Sequence, residues 1–197
     1  MNNFIYHNPT KLVFGKGQIA RLGKLIPADK KIMITFGGGS VRRNGIYDQV
    51  VKALEGRDWV EFWGIEANPK VETLRKCIEF GREQKAGFIL AVGGGSVLDG
   101  SKLVACALTE GETRDAWDIV LSRRPARCIP YASVMTLPAT GSEMNANSVI
   151  SRLETKEKLA FVAPENPRFS ILDPECCRSL GAAQVAASLA DITAHVL

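Results

Sequence analysis

Short, wholly apolar runs alternate with stretches of helical periodicity along most of this chain, and that alternation narrows the architectures open to it. Lys31-Ile32-Met33-Ile34-Thr35-Phe36 reads as a buried strand. A helix from Val41 to Leu54 follows, with Ile46, Val50, Val51 and Leu54 at helical spacing. Trp59 to Trp63 reads as the next strand, and Val71 to Lys85 as a helix with Leu74, Ile78 and Cys77 on its apolar face. Gly87 to Val92 is again a strand and Val97 to Leu108 again a helix. Strands that are apolar on both sides and separated by helices predict a parallel sheet covered on both faces. Further strands are expected at Tyr131 to Leu137, Asn147 to Ser151, Ala160 to Val162 and Phe169 to Leu172. Asp173-Pro174 suits a helix start, and a last helix runs from Gly181 to Leu197. That helix has no C-terminal Gly, Pro or basic turn, so the chain is expected to be cut rather than finished.

Composition excludes several classes. The 197 residues are 46% hydrophobic and 23% charged, enough for a sizeable buried core. The net charge of +4 is mild and no basic run stands out, which argues against a nucleic-acid partner. No stretch of about twenty apolar residues offers a membrane span, and Met1 to Tyr6 lacks the layout of a signal peptide. The five cysteines are odd in number and form no Cys-x-x-Cys pair, so neither a disulfide framework nor a thiolate zinc site is expected. Cys77 and Cys106 read as buried small hydrophobes. These features point to the cytoplasm.

Two glycine-rich turns each follow a strand and lead into a helix: Gly37-Gly38-Gly39-Ser40 and Gly93-Gly94-Gly95-Ser96. Such a turn presents free backbone N–H groups at a helix N-terminus, where a phosphate can approach closely. Neither spells Gly-x-Gly-x-x-Gly nor a Walker sequence. One alone is weak; two, at carboxyl ends of parallel strands, point to a dinucleotide. Asp99, three residues after Ser96, is either a dipole-favoured acid and capping partner of Ser96 or a group facing a ribose or nicotinamide amide. The first turn carries no acid to hold a ribose 2′-hydroxyl, and Arg42 and Arg43 stand just beyond it. That combination suits a 2′-phosphate, hence NADP(H) over NAD(H), although both arginines also fit a solvated helix face.

Thr136-Leu137-Pro138-Ala139-Thr140-Gly141-Ser142-Glu143-Met144-Asn145, together with Gly93-Gly94-Gly95-Ser96-x-x-Asp99 and Asp191-x-x-x-His195, resembles the iron-containing (group III) alcohol dehydrogenases. The resemblance is to their NADPH-dependent butanol dehydrogenase and aldehyde reductase subgroup, and covers their N-terminal part. It implies a Rossmann-like α/β domain over residues 1–180, a parallel sheet flanked by helices. Residues 181–197 would then be the first helix of a missing all-helical metal-binding domain. The resemblance further implies that Gly93 to Ser96 bind the pyrophosphate and that Asp99 lies beside the nicotinamide end. Gly37, Gly38, Gly39 and Ser40 would form the adenosine-ribose pocket. Thr136, Leu137 and Thr140 would line the adenosine and ribose cleft, with Ser142 and Asn147 adjoining. Lys158, otherwise read as a surface lysine, would reach toward the cofactor.

Asp191 and His195, four residues apart, project from one helix face. Without the resemblance they read as solvated; with it they match two ligands of a divalent metal, iron or zinc. A catalytic site needs three or more protein ligands, and the chain's other histidine, His7, stands far from that role. The implied reaction is hydride transfer between NADPH and a small aldehyde or primary alcohol, with the metal polarising the carbonyl, in an enzyme that is a homodimer when intact. The alternative is a non-catalytic nucleotide-binding module, or a split-gene subunit that needs a helical partner. Val185, Leu189 and Val196 are expected to be partly exposed on the last helix.

Overall fold

The computed structural model describes residues 3–111 and 114–196, with His195 described by its backbone alone. Its frame is a six-stranded, all-parallel sheet in the order β1-β8-β5-β4-β2-β3. The strands are β1 (Lys11–Phe14), β2 (Ile32–Phe36), β3 (Trp59–Phe62), β4 (Phe88–Gly94), β5 (Tyr131–Leu137) and β8 (Phe169–Leu172). An antiparallel pair, β6 (Asn147–Arg152) and β7 (Glu157–Val162), stands apart from it.

The strand period of two distributes the apolar residues between the faces. Ile32, Ile34 and Phe36 of β2 and Phe88, Leu90 and Val92 of β4 join one buried cluster. Met33, Ile89 and Ala91 join the other. The first cluster is covered by α1 (Leu22–Leu25), α2 (Ser40–Arg43) and α3 (Ile46–Ala53), through Leu22, Val41, Ile46 and Val50. The second is covered by α4 (Val71–Glu83), α5 (Gly95–Ala107) and α6 (Ala116–Leu121), with Ile150 and Phe161 of the β6–β7 pair. Helix α5 is buried nearly all round, as expected of a helix enclosed by the sheet on one side and other elements on the rest. A Cβ on Gly100 would stand 2.8 Å from Leu74 Cδ2, so glycine is what lets α4 and α5 approach.

The Val41 to Leu54 helix expected from the sequence is in fact two, α2 and α3. The chain turns at Asn44-Gly45, where Gly45 takes φ 75° and the Asn44 side chain accepts from the Ile46 N–H at 3.3 Å. Periodicity does not see the break because the apolar positions continue in phase across it. Pro174–Cys177 is a short 3-10 turn rather than a longer helix, capped as expected by Asp173, which accepts from the Glu175 N–H. The edge strand β1 and the helices α1 and α6 had no expectation. The last helix, α7 (Ala182–Val196), joins neither buried cluster, and its Val185, Leu189, Ile192 and Val196 are 42%, 60%, 47% and 80% exposed. Cys77 and Cys106 are buried in the α4–α5 layer. Among the described residues no helix is long and apolar enough to cross a membrane.

Candidate functional site: two glycine turns at the switch point of the sheet

Strand order decides where the two glycine turns meet. β2 and β4 are neighbours, with Phe36 opposite Val92, so the two glycine runs start side by side at Gly37 and Gly93. From β2 the chain proceeds to β3 on one side, and from β4 to β5 on the other. The crevice between such diverging connections, at the carboxyl ends of the strands, is where open α/β sheets bind ligands.

The glycines of the two turns serve different ends. A Cβ at Gly93 would lie 2.6 Å from Val97 Cγ2, and one at Gly95 2.5 Å from Thr140 Oγ1. Those two are required by the chain's own packing. A Cβ at Gly38 or Gly39 would meet nothing within 4 Å. The space beside the first turn is therefore open, and fits a ribose or phosphate drawn against the backbone.

The second turn opens α5, and Asp99 stands one turn inside it. Its capping alternative is not what forms: Ser142 Oγ donates to Oδ1 at 2.6 Å and the Val149 N–H to Oδ2 at 3.0 Å. Ser96 instead accepts from the Asn68 N–H at 3.3 Å. Burial raises the Asp99 pKa, opposed by the Ser142 bond and the nearby Lys102. Lys102, one turn further on, is wholly buried. Its Nζ donates to Asn147 O at 2.6 Å, Ser142 Oγ at 2.7 Å and Ser142 O at 2.9 Å, and lies 3.9 Å from Asp99 Oδ1. Burial draws its pKa down to about 8, against the pull of Asp99 and Glu143. The ammonium thus ties the Thr140–Asn147 loop to α5 from beneath.

These elements enclose a cleft of about 310 Å³. Gly95, Ser96 and Asp99 form its α5 wall, and Thr140, Ser142 and Asn147 the facing loop. Lys158 reaches in from β7, where its Nζ donates to Asn68 Oδ1 at 2.8 Å. Gly93 and Gly94 end β4 behind that wall, and Leu137 ends β5 beside Gly94. Thr136 sits where the β4–β5 register shifts, and its carbonyl accepts from Cys177 Sγ at 3.7 Å. Neither Thr136 nor Leu137 is on the cleft wall. Gly37, Gly38 and Gly39 line a second cleft of about 380 Å³ with Arg42, Trp63 and Gly64. Ser40 begins α2 just past it, exposed. A larger cleft, of about 600 Å³, lies between α4 and α6 and carries none of these residues.

Sequence reasoning missed Lys102, Asn68, Glu61 and Trp63. Lys102 had a signal, as the one cation in the run from Leu98 to Ala107, three residues after Asp99. Glu61 and Trp63 had none, because only the pairing of β3 with β2 brings them beside the first glycine turn.

The implied metal pair stands differently. Asp191 is exposed on α7, and the side chain of His195 lies outside the described residues. Among the described residues no group of three or more His, Cys, Asp or Glu side chains is placed to hold a metal ion. What is described of this chain does not amount to a metal site.

The iron-containing alcohol dehydrogenase family model matches residues 9–174. The chain is 49% identical over 200 residues to the NADPH-dependent aldehyde reductase YqhD of Escherichia coli, covering 100% of this chain and 52% of the relative. It is 45% identical over 202 residues to a probable NADH-dependent butanol dehydrogenase of Bacillus subtilis, covering 100% and 51%. The crystal structure of E. coli YqhD superposes with a TM-score of 0.94 at 49% identity, over 98% of this chain and 50% of that one. The chain thus spans about half the length of the relatives it matches. With the family model over most of its length and the same fold beneath, the chain belongs to the iron-containing alcohol dehydrogenase family.

Proposed function

We propose that this chain binds NADPH and forms the cofactor side of an enzyme that interconverts a small aldehyde and its primary alcohol. The observation that carries the reading is the pair of glycine turns side by side at the switch point, with open space at Gly38 and Gly39 and Arg42 beside them. The bound cofactor would supply hydride to the carbonyl carbon. The chain's own contribution is placement. The Gly95–Ser96 start of α5 meets the pyrophosphate, where free N–H groups and the helix dipole favour an anion. Lys158 adds positive charge at the same cleft. Asp99, with both oxygens engaged by Ser142 and Val149, holds the loop that closes it. The relatives named for NADPH and for NADH, both above 40% identical, leave the choice of reductant to local residues.

A homodimer and a cytoplasmic setting go with this reading as parts of the proposal. A second reading, a nucleotide-binding module that acts only with a helical partner, is favoured by the exposed apolar face of α7. Fluorescence titration of the purified chain with NADPH tests the first reading: saturable binding supports it and no binding overturns it. Aldehyde-dependent NADPH oxidation by the chain alone, with iron or zinc supplied, would overturn the second.

A further inference from the structure

The first glycine turn has a neighbourhood that the sheet assembles from two strands. Trp63, just past β3, stacks on Phe36 at the end of β2, with ring centroids 4.1 Å apart and planes 14° from parallel. The guanidinium of Arg42 lies 4.1 Å from the indole centroid and 5.1 Å from the Tyr47 ring. A cation held on an aromatic face keeps its N–H donors directed sideways, in the plane of the guanidinium. Arg42 is 55% exposed, and with Gly38, Gly39 and Trp63 it lines the cleft of about 380 Å³.

Glu61 stands at the same edge. One of its oxygens is 3.5 Å from Arg42 Nη2, at the outer limit of a hydrogen bond. The other, Oε2, is buried with no hydrogen-bond partner among the described residues. Tyr47 shares the same carboxylate: burial, then a side-chain hydrogen bond with Glu61, raises its phenol pKa. Arg42 is therefore only loosely held by Glu61 and keeps donors for the cleft that it lines, whereas Glu61 is not on the cleft wall.

We infer that Arg42, seated on Trp63 and restrained by Glu61, sets the choice between a phosphorylated and an unphosphorylated adenosine ribose. Arg42 takes the 2′-phosphate of NADPH, for which a guanidinium fork is well matched. Glu61, which is not on the cleft wall, acts through its pair with Arg42. The Glu61 charge repels the phosphate and competes for Arg42, so preference for NADPH is held below what Arg42 alone would give. Trp63 is a positioning residue, acting through the orientation of Arg42.

This inference rests on the cofactor reading above, and the test separates the two. Wild type, Glu61→Gln, Arg42→Gln and Trp63→Leu are titrated with NADPH and with NADH by fluorescence, each variant first shown to melt cooperatively. Glu61→Gln should tighten NADPH by about tenfold and leave NADH nearly unchanged. Arg42→Gln should weaken NADPH by about thirtyfold and leave NADH nearly unchanged. Trp63→Leu should lower the preference for NADPH without weakening NADH. If the wild type binds neither nucleotide, the cofactor reading falls and takes this one with it. If it binds both and Glu61→Gln leaves their ratio unchanged, the selectivity element alone is overturned. Glu61→Gln keeps size and shape, so the ratio it gives is decisive even if the arginine variant does not fold.

Discussion

Lys102 is a cation with no solvent exposure, and its surroundings decide whether that is tolerable. Three acceptors at 2.6–2.9 Å use its three protons, and Asp99 supplies the countercharge. Lys102→Met would spare the desolvation of one charge, but would leave the Asn147 and Ser142 carbonyls short of a donor and the largely buried Asp99 short of its countercharge. The second effect should win, with a loss of about 3–5 kcal/mol in urea denaturation. The glycines separate packing from binding. Gly93→Ala drives a methyl into Val97 and should cost about 1–3 kcal/mol in the same assay. Gly38→Ala meets nothing and should leave stability within about 0.5 kcal/mol. It should nevertheless weaken NADPH binding; a titration unchanged from wild type would mean that the open space there is not the ribose pocket. Both turns were legible from composition and position alone. Which glycine answers to the chain's own atoms and which to a ligand was not, because that depends on Val97, Thr140 and the open volume beside Gly38.

At the scale of the element, α6 shows how a short helix is held. Asp115 caps it, accepting from the Trp117 N–H at 2.8 Å, and receives two bonds from Arg75 of α4, each 2.8 Å. The Arg75 guanidinium foremost, then the helix N–H groups, hold the Asp115 carboxyl below the usual carboxylate range. A carboxylate with a depressed native pKa stabilises the fold above its unfolded pKa, and loses that contribution as pH falls through the native value. Asp115→Asn keeps the cap and removes the charge. It should cost about 1 kcal/mol at neutral pH, the pair being partly exposed, and the difference from wild type should close as the pH is lowered past the carboxylate range. Denaturation at pH 7 and pH 3 checks both parts. At six residues, α6 is too short for periodicity to reveal. The core strands β2, β4, β5 and β8 were all legible, because strands buried on both faces are mostly apolar, with only small hydroxyl residues interspersed. Edge strand β1 was not, since only Val13 of its four residues points inward.

For the whole molecule, most of the large apolar side chains left exposed among the described residues gather in two places, with Leu121, Leu153 and Val162 elsewhere. One is α7, through Leu189, Ile192 and Val196; the other is the extended N-terminal segment and β1, through Phe4, Ile5, Tyr6, Leu12 and Phe14. Contiguous exposed apolar residues favour association. Light scattering should show a mass that rises with concentration, and Leu189→Glu combined with Ile192→Glu should reduce that rise; an unchanged profile would place the contact elsewhere. The sheet order also carries a consequence for how the chain is made. β1 leaves the ribosome first among the strands, yet its partner β8 leaves last: Lys11 lies opposite Phe169. At about 5–20 residues per second, roughly ten to thirty seconds pass between them. Through that interval the backbone of Lys11 to Phe14 has no strand to join, and Val13, the one buried side chain of the four, waits for its place in the core until the last strand emerges, which makes β1 a natural hold for a chaperone.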